Sequence, residues 1–254
     1  MILDTFRLDG RVAVVTGSSR GLGRGAAVAF AEAGADLVLI DRGDAEHTAE
    51  LARILGRRVH TIHRDFVSAS RDELASAIDE AVETLGRIDI LVNNAGTIRR
   101  SPAADHPAQD WDDVLAVNLD AVFHLSQAAG RHMIAQGWGR IVNVASMLSF
   151  QGGILVPGYA ASKHAVAGLT KALANEWAAS GVTVNAIAPG YMATDNTAPI
   201  RADADREASI LARIPAGRWG TPADLQGAFV FLASEAAAYV TGAVIPVDGG
   251  WLVR

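Results

Sequence analysis

Short apolar runs alternate along the chain with longer stretches whose apolar residues recur at helical spacing. Val12-Ala-Val-Val-Thr16 stops at glycines, and residues 22–34 are alanine-rich, helically spaced and closed by Gly34, which predicts a strand followed by a helix. The same alternation predicts further strands over 37–40, 59–62, 88–92, 141–144, 182–187 and 243–247. Helices are predicted over 45–55, 72–85, 111–135, 159–179 and 222–233, the last beginning at Pro222. The strands read as continuous apolar runs, the pattern of a sheet covered by helices on both faces. The expected fold is therefore α/β: a doubly wound (Rossmann) sheet of seven mainly parallel strands, with ligands at the strands' carboxyl ends. No linker-like segment or repeat period interrupts the pattern, so residues 1–254 are expected to form one domain, with a substrate loop or lid around 190–215.

Composition narrows the partners. Half of the 254 residues are hydrophobic, enough for a large core, and the net charge of −6 with dispersed basic residues argues against nucleic-acid and anionic membrane surfaces. An anionic ligand must then be met by local positive groups. The chain has no cysteine, which removes disulfides and thiolate metal sites and suits a reducing compartment. Met1-Ile2-Leu3-Asp4 lacks a cationic start followed by an apolar stretch, and no apolar run reaches membrane-spanning length; a cytoplasmic protein is expected. His60 and His63 point to opposite faces of a strand, so no metal site is assigned to them.

Two segments carry chemistry. Thr16-Gly-Ser-Ser-Arg-Gly-Leu-Gly23 lies between the first predicted strand and helix, where glycines let backbone N–H groups approach a pyrophosphate at a helix N-terminus. Its glycine spacing is longer than the commonest dinucleotide fingerprint. Asp41, after the second strand, is placed to accept from ribose hydroxyls and repel a 2′-phosphate, which favours NAD, whereas Arg20 and Arg42 pull towards NADP. Asp65 can accept from an adenine amino group or cap a turn. Further on, Tyr159 and Lys163 stand at i and i+4, on one helix face, so that an ammonium can bias a phenol towards its anion. Ser146, after the fifth strand, can hold a substrate oxygen beside that phenol or satisfy its own loop.

Together with Asn93-Asn-Ala-Gly96, Asn118 and Pro189-Gly190, these segments resemble the short-chain dehydrogenase/reductase family in order and spacing over essentially the whole chain. The resemblance implies that Tyr159 is the general acid/base, Lys163 lowers its pKa and holds the nicotinamide ribose, Ser146 orients the substrate oxygen, and Asn118 holds a relay water. It also implies a cofactor path along Gly17, Ser19, Arg20, Gly21, Leu22 and Gly23. Asp41, Asp65, Phe66, Asn93, Asn94, Ala95 and Gly96 continue that path, and Pro189, Gly190, Met192 and Thr194 complete it. A homotetramer, built through the long helices and last strand, is implied too; the terminus Gly249-Gly-Trp-Leu-Val-Arg254 fits such an interface, or Trp251 packs within its own subunit.

For the substrate, Arg99 and Arg100 can clamp a carboxylate, and Gln151 can meet sugar hydroxyls. Asn94–Arg100, Ala145–Gly153, Ala188–Thr194 and Arg213–Gly220 resemble the sugar-acid branch of the family, the 2-dehydro-3-deoxy-D-gluconate 5-dehydrogenases, also labelled 2-deoxy-D-gluconate 3-dehydrogenases. The expectation is an NAD-dependent oxidoreductase acting on CH–OH of a deoxy or keto sugar acid. The alternatives are an NADPH-dependent 3-oxoacyl thioester reductase on the same fold and a nonenzymatic dinucleotide-binding sensor.

Overall fold

A computed structural model describes residues 1–254. Its strands are β1 (Val12–Thr16), β2 (Asp36–Asp41), β3 (Val59–His63), β4 (Ile90–Asn93), β5 (Gly139–Val144), β6 (Val182–Pro189) and β7 (Val244–Val247). They form one sheet in the order β3-β2-β1-β4-β5-β6-β7, parallel at every pairing. Chain order reverses between β1 and β4, and that switch point opens a crevice at the carboxyl edge of the sheet. The helices are α1 (Gly21–Ala33), α2 (Glu46–Ile54), α3 (Arg71–Leu85), α4 (Ala108–Leu115), α5 (Ala121–Gln136), α6 (Pro157–Trp177), α7 (Ala198–Arg201), α8 (Ala204–Leu211) and α9 (Pro222–Ala233).

Strand alternation divides the core in two. On β1, Ala13 and Val15 face a layer holding Phe30 of α1, Ala49 of α2 and Phe229 of α9, while Val12 and Val14 face Ile78 of α3, Leu125 of α5 and Trp177 of α6. Each fully buried Leu, Ile or Phe contributes about 1.5–3 kcal/mol by leaving water, so these layers dominate the stability of the sheet. Small residues let α1 approach α9 closely: a Cβ at Gly25 would lie 3.1 Å from Pro222. Gly34 then ends α1 in the left-handed region at φ +114°, as the glycine stop predicts.

Three features depart from the sequence expectations. The predicted helix over 111–135 is interrupted by a π-helical turn, Ala116–Asp120, which separates α4 from α5 and contains Asn118. β3 and β7 are edge strands and only partly covered, so the expectation of two buried faces holds for the central strands alone. The 190–215 segment contains two short helices, α7 and α8, rather than an open loop.

Candidate active site

The loops that follow β1 to β6 line a cleft of about 780 Å³, within the size range of a small-molecule site. Its nucleotide end is built at the β1–α1 turn, where Gly17 (φ +64°) and Gly21 (φ +56°) adopt backbone conformations that side chains disfavour. A Cβ on Gly23 would lie 2.1 Å from the Gly17 carbonyl oxygen and 2.5 Å from Asn94 Nδ2, so only glycine fits. The turn is locked to the next loop by Asn94, whose Nδ2 donates to the carbonyls of Thr16 (2.9 Å) and Gly17 (3.0 Å), and by Thr16 Oγ1, which accepts from the N–H groups of Asn94 and Ala95. α1 begins without a side-chain cap and with no acidic residue in its first turn. Its leading N–H groups thus have no competing intrahelical or carboxylate partner, the condition for binding a phosphate.

Beside this turn, Asp41 accepts from the backbone N–H of Ser19 and of Gly43, both at 2.8 Å. The carboxylate is therefore fixed in the cleft wall with lone pairs remaining for a ribose. Arg20 pairs with Asp195 at 3.1 Å across the cleft mouth, whereas Arg42 lines the cleft with no ion-pair partner. Asp65 both lines the cleft and caps its own turn, accepting from the Val67 N–H at 3.0 Å, and Phe66 is buried beside it.

At the other end, Ser146, Tyr159 and Lys163 share one wall with Asn94, Ala95 and Gly96. Ser146 leaves β5 and caps the turn that follows, its Oγ accepting from the Leu148 N–H at 3.1 Å. Lys163 is 4 % exposed; its Nζ donates to the Val144 carbonyl at 2.6 Å and lies 5.6 Å from the Tyr159 ring centre. Burial lowers the Lys163 pKa to about 8, which leaves it mainly charged at neutral pH. Burial also raises the Tyr159 phenol above its usual value, opposed by the hydrogen bond with Ser146 and by the charge of Arg100. The Lys163 ammonium is held by the β5 carbonyl, and the groups that oppose the effect of burial on the phenol are Ser146 and Arg100.

Not every predicted residue enters the cleft. Gly17, Ser19, Arg20, Gly21, Leu22, Asp41, Asp65, Phe66, Asn94–Gly96, Gly190, Thr194, Arg100 and Gln151 line it; Gly23, Asn93, Asn118, Pro189, Met192 and Arg99 do not. The Asn93 side chain is buried and donates to Ser126 and Asn143 in the core. Asn118 is fully buried in the π turn and is engaged by Thr97, accepting from its N–H at 2.8 Å and donating to its carbonyl at 2.9 Å. It therefore anchors the wall that carries Arg100. Arg99 turns away to Asp110 and Asp113 at 3.3 Å, so it is not the second arm of a carboxylate clamp. Conversely, Arg206, Arg213 and Trp251 reach the cleft. Trp251 packs in its own chain against Met147, Ile210 and Ile214 rather than offering an interface. Only the tertiary fold joins the C-terminal tail to this site, so no local pattern announces it.

The family model for enoyl-(acyl carrier protein) reductase matches residues 17–252. The 2-dehydro-3-deoxy-D-gluconate 5-dehydrogenases of Escherichia coli and Dickeya dadantii are 55 % and 54 % identical, each covering 100 % of both chains. The crystal structure of a gluconate 5-dehydrogenase from Burkholderia cenocepacia, in complex with NADP and tartrate, superposes with a TM-score of 0.94 at 43 % identity and covers 100 % of both chains. The glycine-only β1–α1 turn, the Ser146–Tyr159–Lys163 wall and these full-length similarities make the chain a member of the short-chain dehydrogenase/reductase family, an enzyme acting on CH–OH with a nicotinamide dinucleotide.

Proposed function

We propose that the enzyme interconverts a secondary alcohol and a ketone of a gluconate-type sugar acid, with 2-dehydro-3-deoxy-D-gluconate as the leading candidate. The observation that carries this reading is a cationic substrate end in an acidic protein: Arg100 and Arg213 line it with Tyr159, and neither has an ion-pair partner. The full-length similarity to sugar-acid dehydrogenases supports it. A thioester reductase needs no such charge beside its reacting carbon, and a sensor needs no Ser146, Tyr159 and Lys163 set.

Bound nicotinamide supplies the hydride acceptor or donor. Tyr159 takes the hydroxyl proton as the carbinol carbon loses its hydride, and returns it when the ketone is reduced. Ser146 holds the reacting oxygen against the phenol, and Arg100 favours the anionic forms of both oxygens. Lys163, within a few ångströms of Gly96, holds the ribose side of the cleft. The nucleotide end accepts the rest of the cofactor: uncapped N–H groups of α1 for the pyrophosphate, Asp41 for the ribose, Asp65 and Phe66 for the adenine.

NAD is the proposed physiological cofactor because the anchored Asp41 carboxylate repels a 2′-phosphate, although Arg42 tempers the preference. The chain is read as one domain, with α7 and α8 as its lid. Exposed Trp111 and Phe123 on the outer sides of α4 and α5 support a homotetramer, and the cysteine-free chain suits the cytoplasm. The test is steady-state turnover of deoxy and keto sugar acids with NAD and NADP, in both directions. The reading expects a sugar acid to outperform acyl thioesters and a kcat/KM higher with NAD; equal efficiency with NADP removes the specificity assigned to Asp41.

A further inference from the structure

The cleft arginines divide by their partners. Arg20 and Arg64 are paired with Asp195 and Glu73, whereas Arg100 and Arg213 at the substrate end have no carboxylate within ion-pair distance. Arg213 is also held in place. Its guanidinium lies 4.0 Å from the centre of the Trp251 ring, and Trp251 is 4 % exposed and packs against Met147, the residue after Ser146. The backbone around Arg213 is tied to the C-terminal tail, since the Ala216 N–H donates to Gly249 and Arg254 donates to Ala212 at 2.9 Å. Gly249 (φ +65°) and Gly250 (φ +89°) let the tail dock this closely: a Cβ on either would lie about 3.0 Å from Ile214 or Pro215. Arg206, by contrast, has no side-chain partner to fix it. Arg100 lines the cleft together with Ser146 and Tyr159, and its charge favours the phenolate. A sugar acid oxidised far from its carboxylate needs a second cation, separated from the first and preorganised.

We propose that Arg213, stacked on Trp251, is the residue that recognises the substrate carboxylate, so that lid and C-terminal tail together set the preference for sugar acids over neutral sugars. This inference rests on the sugar-acid reading. A planar guanidinium immobilised on an aromatic face presents its edge N–H groups to a carboxylate in bidentate fashion at little entropic cost. Arg99, bound to Asp110 and Asp113, has no such freedom.

The test compares gluconate with gluconamide, its neutral analogue, by tryptophan fluorescence titration with NADH present, in wild type, Arg213→Met and Arg213→Lys. Met keeps the packing on Trp251 without charge; Lys keeps charge without the fork. The expected result is a gluconate Kd raised roughly thirtyfold or more in Arg213→Met, an intermediate rise in Arg213→Lys, and a gluconamide Kd within about twofold of wild type throughout. Unchanged gluconate binding in Arg213→Met overturns the proposal, as does equal weakening of both ligands or a wild type that does not tell them apart. Turnover separates the two readings. A wild type that binds gluconate through Arg213 yet oxidises no sugar acid removes the assigned activity and leaves the carboxylate subsite standing.

Discussion

Lys163 shows how a residue proposed to be functional departs from what stability favours. Its ammonium is buried against the Val144 carbonyl, and its pKa falls to about 8 from an ordinary 10.5. Below pH ~8 both folded and unfolded chains carry the charge, and burial destabilises the fold in full. Between about 8 and 10.5 the folded chain has lost the proton and the unfolded chain has kept it, so rising pH relieves that destabilisation. Lys163→Met should therefore lose activity yet be more stable by about 1–2 kcal/mol at pH 7, after loss of the Val144 hydrogen bond. Denaturant melts across pH check this: the excess should shrink towards pH 10.5, and a variant less stable than wild type at pH 7 contradicts the account. The Tyr159–Lys163 pairing was legible in the sequence because i and i+4 share a helix face. The burial that raises the phenol was not, nor was the opposing charge of Arg100, which comes from a loop distant in sequence.

At the level of elements, the β1–α1 turn and Asn94 form one unit: glycines that admit no Cβ, and an amide that ties two strand ends together. Gly23→Ala pushes a methyl into the Gly17 carbonyl, so the turn must open and the leading N–H groups of α1 lose their convergence. The expected outcome is dinucleotide binding weakened at least about a hundredfold, with a destabilisation of about 1–3 kcal/mol; calorimetric titration with NADH measures the first and thermal melts the second. Retention of wild-type NADH affinity would show that the turn does not hold the cofactor. Strand and helix positions were largely readable because apolar runs and helical spacing report burial directly. The π turn at Ala116–Asp120 was not, because helical periodicity continues through it and only the contacts of Asn118 with Thr97 reveal the extra residue.

In the molecule as a whole, an all-parallel sheet brings six loop ends to one edge, and the cleft inherits its rigidity from the two core layers beneath them. The proposed acid/base residues stand on strand ends and α6, while the parts to which we assign specificity arrive late in the chain: α7, α8 and the tail carrying Trp251. That division explains what the sequence revealed. The fold, the cofactor turn and the acid/base wall are written in local patterns, whereas the diversion of Arg99 to Asp110 and Asp113, and the approach of Arg213 to Trp251, exist only once the chain is folded. The central claim is that Tyr159 moves the proton while a nicotinamide moves the hydride. Tyr159→Phe, assayed for NADH formation with a sugar acid and titrated with NADH in parallel, tests it most directly. The account predicts cofactor affinity within about twofold of wild type and turnover lowered by roughly a hundredfold to ten-thousandfold; near-normal turnover at unchanged affinity would contradict it.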